Sequence, residues 1–374
     1  MTDRSGTDPN AEDVWERLRK TLVDLGVDEQ AFQVASAEGL DGLRRLVARY
    51  ISFPGARRYT PAEVYAKSGT DQETAEALWR AMGFPLVPED EAAFTDADIE
   101  ALETATRLFD RAGMDSTIVL QQTRSMGQAA ARIAASHQDV ISELIPEGDP
   151  ARAAERALSL ADEALPATDR LLVYMYRRHL AAATEQRLLV APSEEGGVTM
   201  SIGFADLVGF TALSQELDVR ELAAFVDRFN AATADVVAKS SGRVIKTIGD
   251  EIMFATQEPG LAATIAIALI HDVSGKDGLP PLKVGVASGV VIAREGDLFG
   301  GPVNLANRLV TIAKPDSVLV DESTGDALAS DERFQLTPIG RRHLKGLGLV
   351  RSFRLREAEP AQTPPAKRRH TRPR

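Results

Sequence analysis

The sequence lacks cysteine and long apolar runs, and its first residues do not have the pattern of an export signal. With no Cys in 374 residues, disulfides, thiolate catalysis and Cys-based zinc sites are excluded, as suits a reducing compartment. The most apolar stretch, residues 261–270, is about half of the roughly 20 residues that a membrane-spanning helix needs. The N-terminus, MTDRSGTDPNAED, is acidic and has no apolar segment typical of a signal peptide. We therefore expect a cytoplasmic protein without a membrane span.

The negative charge of the chain is concentrated in its first half. The formal net charge is -12, and residues 1–190 hold 32 of the 55 acidic but only 21 of the 43 basic side chains. Nucleic acids and anionic lipids carry the same sign, so we expect no nucleic-acid partner. The basic end, PPAKRRHTRPR, predicts a disordered tail over residues 359–374, with a docking role as the alternative.

The hydrophobic pattern of the sequence changes from helical to period-two spacing near residue 191, which predicts two domains. Residues 11–190 show helical periodicity almost throughout, so we predict an all-helical domain over residues 1–190. The polar segment APSEEGG, residues 191–197, is the predicted linker. From residue 198 to 358, period-two runs alternate with amphipathic helices, which predicts a mixed domain of strands and helices.

Three positions mark predicted helix boundaries in the first domain. Thr60-Pro61 has the form of an N-cap followed by proline at the first helical position, and Thr95 marks a second helix start. Pro166 lies inside a long helical pattern. Because proline cannot donate a backbone hydrogen bond, we expect a kink or break there.

Two carboxylates occupy unusual places in the second domain. The apolar parity of its first strand continues onto Asp206. In RVIKTIGDEIMFA, Lys246 and Asp250 share sequence parity with the apolar Val244 and Ile252, which predicts that Lys246 and Val244 share a strand face. Asp250 also lies at the predicted Gly249-Asp250 turn. If the strands are neighbours, Asp206 and Asp250 repel each other unless a divalent cation lies between them. The alternative is that each is an ordinary strand-end or turn aspartate.

Three segments resemble a known family. FADLVGFTALS, IKTIGDEIMF and GDLFGGPVNLANRL resemble, in order, the signature segments of the class III adenylyl and guanylyl cyclase catalytic domain. The resemblance covers about residues 198–355. It implies an α+β ferredoxin-like (palm-type) domain that converts ATP to 3′,5′-cyclic AMP and pyrophosphate. It also implies a homodimer with active sites at the interface and two Mg²⁺ or Mn²⁺ ions per site.

The resemblance also implies which residues hold the metal ions and the polyphosphate. Asp206 and Asp250 match the metal-binding aspartates, and the Leu207 carbonyl adds a ligand. The backbone amides at the start of the following helix would hold the polyphosphate, as helix N-termini do for anions. These amides belong to Gly209, Phe210 and Thr211.

Lys246 and Asp297 match the pair of residues that selects the purine base in the family. Adenine offers an acceptor at N1 and a donor at its 6-amino group, which Lys and Asp complement. Guanine reverses both groups and would leave charged side chains unpaired, so the pair favours ATP. The alternative for Lys246 is a surface lysine on an exposed strand.

Asn304 and Arg308 are spaced i, i+4 and therefore project from one face of a helix. They match the residues that orient the ribose and stabilise the transition-state phosphate, a task suited to a guanidinium group. Lys345, in HLKGLG, matches a further phosphate-contacting lysine, with a surface lysine as the alternative. Because one chain holds the whole set, a homodimer with two equivalent sites is expected. The family implies that Lys246 and Asp250 of one chain serve opposite sites.

About residues 41–145 resemble the regulatory domain of actinobacterial pH-responsive soluble adenylyl cyclases. This implies autoinhibition near neutral or alkaline pH that is relieved by acidification, with a lipid or fatty acid among the helices as a further implied ligand. His137 and His179 are the histidines of this half that titrate near neutrality. Clustered carboxylates with raised pKa values are the alternative sensors, and solvent-facing histidines without a sensing role are the third reading.

Sequence patterns in both halves also resemble those of proteins with other functions. A helix-turn-helix pattern is present in the segment YTPAEVYAKSGTDQETAEALWRAMGFP. The predicted second helix carries three acidic residues, Asp71, Glu73 and Glu76, and one basic residue, Arg80. This excess of negative charge disfavours DNA binding. Gly249-Asp250-Glu251 is similar to part of a diguanylate cyclase signature, although neighbouring residues differ. A third alternative is a non-catalytic module that senses nucleotides.

Overall fold

The computed structural model describes residues 9–113, 115–144, 156, 159–189 and 197–358. Backbone contacts divide the chain into two units, Met1–Gln186 and Arg187–Arg374, each of which has its own core. Most of the expected linker and the expected tail, residues 359–374, lie outside the described residues. No helix within the described ranges is long and apolar enough to cross a membrane.

The first unit is helical. An isolated bridge between Tyr59 and Phe94 is its only strand-like pairing in the described part. Thr60 forms a capping box with Glu63, and Pro61 occupies the first helical position, as predicted. The helices are α1 (Pro9–Asp24), α2 (Glu29–Ala37), α3 (Leu40–Ser52), α4 (Pro61–Ser68), α5 (Gln72–Met82), α6 (Asp96–Ala112), α7 (Ser116–Leu144) and α8 (Leu165–Leu189).

The expected disruption at Pro166 is a π-helical turn. This turn, Leu160–Ala164, leads directly into α8, and the Leu165 N–H donates to the carbonyl of Leu160, five residues earlier. Pro166 has no N–H, and its ring would crowd the carbonyl four residues before it in a regular helix. A wider turn at this point relieves that conflict.

The second unit is built on one sheet. Its strands run in the order β2-β3-β1-β4-β6-β8-β7, and β5 pairs with β4. All pairs in this sheet are antiparallel except the parallel pair β4–β6. The strands are β1 (Val198–Leu207), β2 (Arg243–Ile248), β3 (Glu251–Thr256), β4 (Leu282–Arg294), β5 (Asp297–Phe299), β6 (Ser317–Asp321), β7 (Phe334–Leu344) and β8 (Gly348–Glu357).

Helices cover the two faces of this sheet and confirm the predicted α+β, ferredoxin-like architecture. The first four strands form a β-helix-β-β-helix-β unit in the spatial order β2-β3-β1-β4. The helices are α9 (Phe210–Glu216), α10 (Val219–Lys239), α11 (Pro259–Asp272), α12 (Gly301–Ile312) and α13 (Glu322–Leu328). Residues of α10 and α11 pack on one face with Ile252 and Phe254, whereas α12 packs on the other with Phe204 and Met253.

Helix α12 lies directly on the backbone of β4. A Cβ atom at Gly285 would lie 2.4 Å from both the Ala306 carbonyl oxygen and the Val310 nitrogen. No larger residue fits between the helix and the strand at this point. Glycine therefore fixes the separation of α12 from the sheet.

The predicted shared face of Val244 and Lys246 is wrong. Val244 pairs with Phe254, but Lys246 pairs with Met253, so the strand contains a bulge at Ile245. A bulge inserts one residue, and the side chains that follow change faces. Lys246 consequently lies on the face of Met253, the face that carries α12.

The second unit has the alternation of strands and helices that is predicted for residues 198–358. Two helices, α9 and α10, follow β1, because Asp218 and Glu221 form a capping box that begins a new helix.

Candidate active site

Strand pairing brings Asp206 and Asp250 together at one edge of the sheet. Asp206 lies near the end of β1, opposite Glu251 of β3 and Lys283 of β4. Asp250 lies in the turn that joins β2 to β3, and its carbonyl accepts a hydrogen bond from the Leu207 N–H at 3.2 Å. Both aspartates thus lie at the same end of the neighbouring strands.

This edge concentrates negative charge. Burial raises the pKa of Asp250 above its ordinary value, and the neighbouring Asp206 carboxylate raises it further. Burial likewise raises the pKa of Glu251 to about 7, with the charges of Asp206 and Asp250 adding to the effect. The Asn307 side-chain amide donates to Glu251 Oε1 at 3.2 Å. A cation at this edge would therefore be stabilised.

The ammonium group of Lys283 contacts this group of carboxylates. Lys283 Nζ lies 2.6 Å from Asp206 Oδ2, and the two side chains are only 20% and 23% exposed. In such surroundings an ion pair is less screened by water than one on the surface. The pair therefore compensates part of the negative charge of the cluster.

The donor atoms at this edge fit a hard divalent cation. Mg²⁺ is commonly held by one or two carboxylates together with water and substrate phosphates. Asp206 and Asp250 supply these carboxylates. No group of three or more His, Cys, Asp or Glu side chains in the described ranges is arranged to hold a metal ion. The remaining ligands would thus come from the backbone, from water and from substrate.

Lys246 and Asp297 meet although they are distant in sequence. The hairpin formed by β4 and β5 brings Asp297 to β2, where its Oδ2 lies 2.5 Å from Lys246 Nζ. Asp297 Oδ1 accepts a hydrogen bond from the Leu298 N–H at 2.8 Å, which fixes the orientation of the carboxylate. The two side chains form a partly exposed donor–acceptor pair.

The loop after β1 presents backbone N–H groups. Gly209 has a φ of 78°, a left-handed conformation that glycine adopts without strain, and it caps α9. Its carbonyl accepts from the N–H groups of Ala212 and Leu213 at 3.1 and 3.2 Å. The N–H groups of Phe210 and Thr211 belong to the first helical turn, whose donors have no partner within a helix.

The other candidates lie on the surface. Asn304 and Arg308 are exposed on α12, and Arg308 forms no ion pair with any described residue. Lys345 is exposed in the turn between β7 and β8, and no hydrogen bond or ion pair found in the described ranges joins it to the other candidates. The structure thus brings together Asp206 with Asp250, and Lys246 with Asp297.

Sequence reasoning missed Lys283, Glu251 and Asn307 as members of this site. Lys283 is the lysine within the otherwise apolar run LKVGVASGVVIA, and this isolated charge was an available signal. Glu251 follows the predicted Asp250 directly. Asn307 gives no comparable signal, because its contact with Glu251 depends on how α12 crosses the sheet.

Comparisons with known proteins agree with this geometry. Residues 193–357 match the family of adenylate and guanylate cyclase catalytic domains, and residues 5–181 match the adenylate cyclase regulatory domain. An adenylate cyclase of Streptomyces coelicolor is 37% identical over 330 residues, which cover 80% of this chain and 86% of that protein. The chain belongs to the adenylate cyclase family. The predicted family is thereby confirmed for both halves of this cyclase.

Further relatives of the cyclase are similar over most of their length. An adenylate cyclase of Glutamicibacter nicotianae is 33% identical and aligns over 82% of this chain and 81% of its own. A pH-sensitive adenylate cyclase of Mycobacterium tuberculosis is 29% identical over 91% of this chain and 87% of its own. Catalytic domains of the family use ATP, generally depend on divalent metal ions and typically form dimers.

Proposed function

We propose that residues 198–358 convert ATP to 3′,5′-cyclic AMP and pyrophosphate, and that residues 1–190 regulate this activity. In the reaction the ribose 3′-oxygen attacks the α-phosphorus in line, and pyrophosphate leaves. The observation that carries the proposal is the placement of Asp206 and Asp250 at one edge of the sheet, which gives a negatively charged, partly buried site for cations.

Asp206, Asp250 and the Leu207 carbonyl would hold two Mg²⁺ or Mn²⁺ ions. When bound, these ions lower the cost of forming the 3′-alkoxide and neutralise charge on the phosphates. The residues of the chain would position the substrate. The N–H groups of Gly209, Phe210 and Thr211 would hold the polyphosphate.

Asn304 and Arg308 would act on the ribose and on the transferring phosphate. They share one face of α12 and are exposed, so they are accessible to a ligand. Arg308 has no anionic partner among the described residues, which leaves its guanidinium available for the charge that develops at the α-phosphate. Lys345 would make a further phosphate contact.

Lys246 and Asp297 would select adenine. Their ion pair shows that a donor and an acceptor lie side by side. Adenine can bond to both, whereas guanine would face each with a group of the same kind. A charged group left without a partner costs more than a missing neutral bond, so the pair favours ATP over GTP.

We further propose a homodimer in which Lys246 of one copy and Asp250 of the other serve the same active site. Large apolar side chains support a contact with another copy: Ile248, Ile292 and Phe299 are 54%, 57% and 52% exposed. Ile248 ends the strand that carries Lys246, and Phe299 ends the strand that carries Asp297. Burial of this surface would place a second chain beside the base-selecting pair.

The regulatory proposal is autoinhibition that acidification relieves. It is supported by the match of residues 5–181 to the regulatory domain and by the relative named as pH-sensitive. His179 is exposed on α8, and His137 is half-buried on α7. A lipid or fatty acid among the helices stays a prediction.

The decisive experiment measures cyclic AMP formation by the purified full chain with Mg²⁺ and with Mn²⁺ between pH 5 and 8, beside residues 191–374. We expect metal-dependent product from both, with a stronger pH dependence for the full chain. Binding of ATP and metal without any cyclic AMP would support the non-catalytic alternative and overturn the proposal.

A further inference from the structure

Strand pairing places Lys283 beside the carboxylates at the active-site edge of the sheet. It is the second residue of β4 and pairs directly with Asp206 of β1, which pairs on its other side with Glu251. Side chains of paired residues point to the same face of a sheet. Glu251, Asp206 and Lys283 therefore form one cross-strand row, and Asp250 lies in the turn beside it.

The row contains one ammonium group and a surplus of carboxylates. Lys283 Nζ lies 2.6 Å from Asp206 Oδ2, a carboxylate oxygen that a metal ion would also need. A lysine ammonium and a divalent cation beside the same oxygen repel each other, because like charges a few ångströms apart are poorly screened at low exposure. This repulsion favours one cation at a time beside Asp206 Oδ2.

The flexibility of lysine suits such an exchange. Its ammonium is a compact charge on a four-carbon stem, so it can leave a partner without backbone movement. The side chain is 20% exposed, which leaves it a route to solvent. Among the described residues, Lys283 forms one ion pair, the contact with Asp206. No second ion pair in this part of the chain would hold the ammonium group in place.

We propose that Lys283 is a displaceable internal counter-ion of the metal site, which neutralises Asp206 when no metal is bound and must be released when a metal binds. This inference rests on the proposed metal-binding role of Asp206. Its consequence is that the chain tolerates a metal-free site but binds metal less tightly than the carboxylates alone would. Lys283 thus acts on the metal site through its charge beside Asp206.

The test measures Mn²⁺ binding to the full-length, nucleotide-free protein by electron paramagnetic resonance of free Mn²⁺. Replacing Lys283 with methionine (K283M) should tighten Asp206-dependent binding by about tenfold, since a competing charge is removed. K283R, which keeps the charge, should stay within about twofold of the native protein. K239M is the matched control, because Lys239 pairs with Asp235 at 2.8 Å on the exposed surface of α10 and its loss changes net charge equally.

Each result decides the proposal. Unchanged or weaker Mn²⁺ binding by folded K283M overturns it, because Lys283 would then orient Asp206 rather than compete with the ion. Equal tightening in K239M also overturns it, since a general charge effect would suffice. Circular dichroism checks folding, and K283Q replaces K283M if the latter is unfolded.

The D206N variant separates this inference from the proposed function. If D206N abolishes Mn²⁺ binding but K283M does not tighten it, only the counter-ion role fails. If D206N binds Mn²⁺ as the native protein does, the proposed metal site fails, and the counter-ion role fails with it.

Discussion

The two units of the chain use charged residues in different ways. In the helical unit, the ion pair Arg107–Glu103 joins neighbouring turns of one helix, and its side chains are 63% and 38% exposed. In the catalytic unit, the pair Lys283–Asp206 joins neighbouring strands and is mostly shielded from water. Exposed pairs contribute little and exchange readily with water. The shielded pair of the sheet therefore holds its charges in fixed positions, as the proposed catalytic role requires, whereas the exposed helical pair does not.

The largest effect on activity is expected when one charged side chain of the sheet unit is made neutral. Asp250→Asn should reduce cyclic AMP formation by about a thousandfold, because loss of a metal ligand removes several kcal/mol of transition-state stabilisation. Initial rates with saturating Mn²⁺ and ATP measure the effect. Asp235→Asn, at an exposed helix pair, is the control and should keep full activity. More than a tenth of the native rate in the Asp250 variant would contradict the metal-binding role.

The next largest effect is expected at the exposed face of α12. Arg308→Ala should lower kcat by about a hundredfold with little change in KM, since an interaction made mainly in the transition state is lost. Arg351→Ala is a suitable control because this arginine pairs with Glu322 on the surface. A rise in KM with unchanged kcat would assign Arg308 to substrate binding instead.

Deletion of the helical unit tests whether this unit controls the activity of the catalytic unit. Deletion of residues 1–190 should raise activity at neutral pH by about tenfold, within the usual range of coupling between sites, and should flatten the pH profile. Cyclic AMP assays of both proteins between pH 5 and 8 measure this. An unchanged profile would show that the catalytic unit itself carries the pH dependence.

The smallest predicted effect is confined to one helix of the first unit. Thr60→Ala removes the capping box at α4 and should destabilise it by about 1 kcal/mol. Hydrogen exchange of the α4 amides should then accelerate about fivefold. Thr337→Ala, at an exposed position of β7, is the control. Unaltered exchange at α4 would mean that packing alone holds this helix.

Much of the site could be predicted because its residues lie in contiguous motifs. Asp206 and Asp250 follow from the strand pattern and the family-like segments, and the structure places them side by side. Their roles stay predictions. Lys283 could not be assigned to them from local sequence, since its contact depends on the register between β1 and β4, strands separated by three helices and two other strands.

The strands of the second unit could be predicted from the sequence, but the irregularity in β2 could not. Period-two patterning predicts the strands of the ferredoxin-like unit, but parity fails at β2, where the bulge at Ile245 turns Lys246 to the other face. A single inserted residue is invisible in an apolar run such as Val244-Ile245. The break between α9 and α10 was readable from Asp218 and Glu221, a capping signature.

The contact between Gly285 and α12 has a mechanical consequence. Because no side chain separates Gly285 from α12, a displacement of this helix should move β4 with it. Arg308 on the helix and Lys283 on the strand would then shift together. The groups proposed to act on the phosphate and beside the metal ions would change position as one.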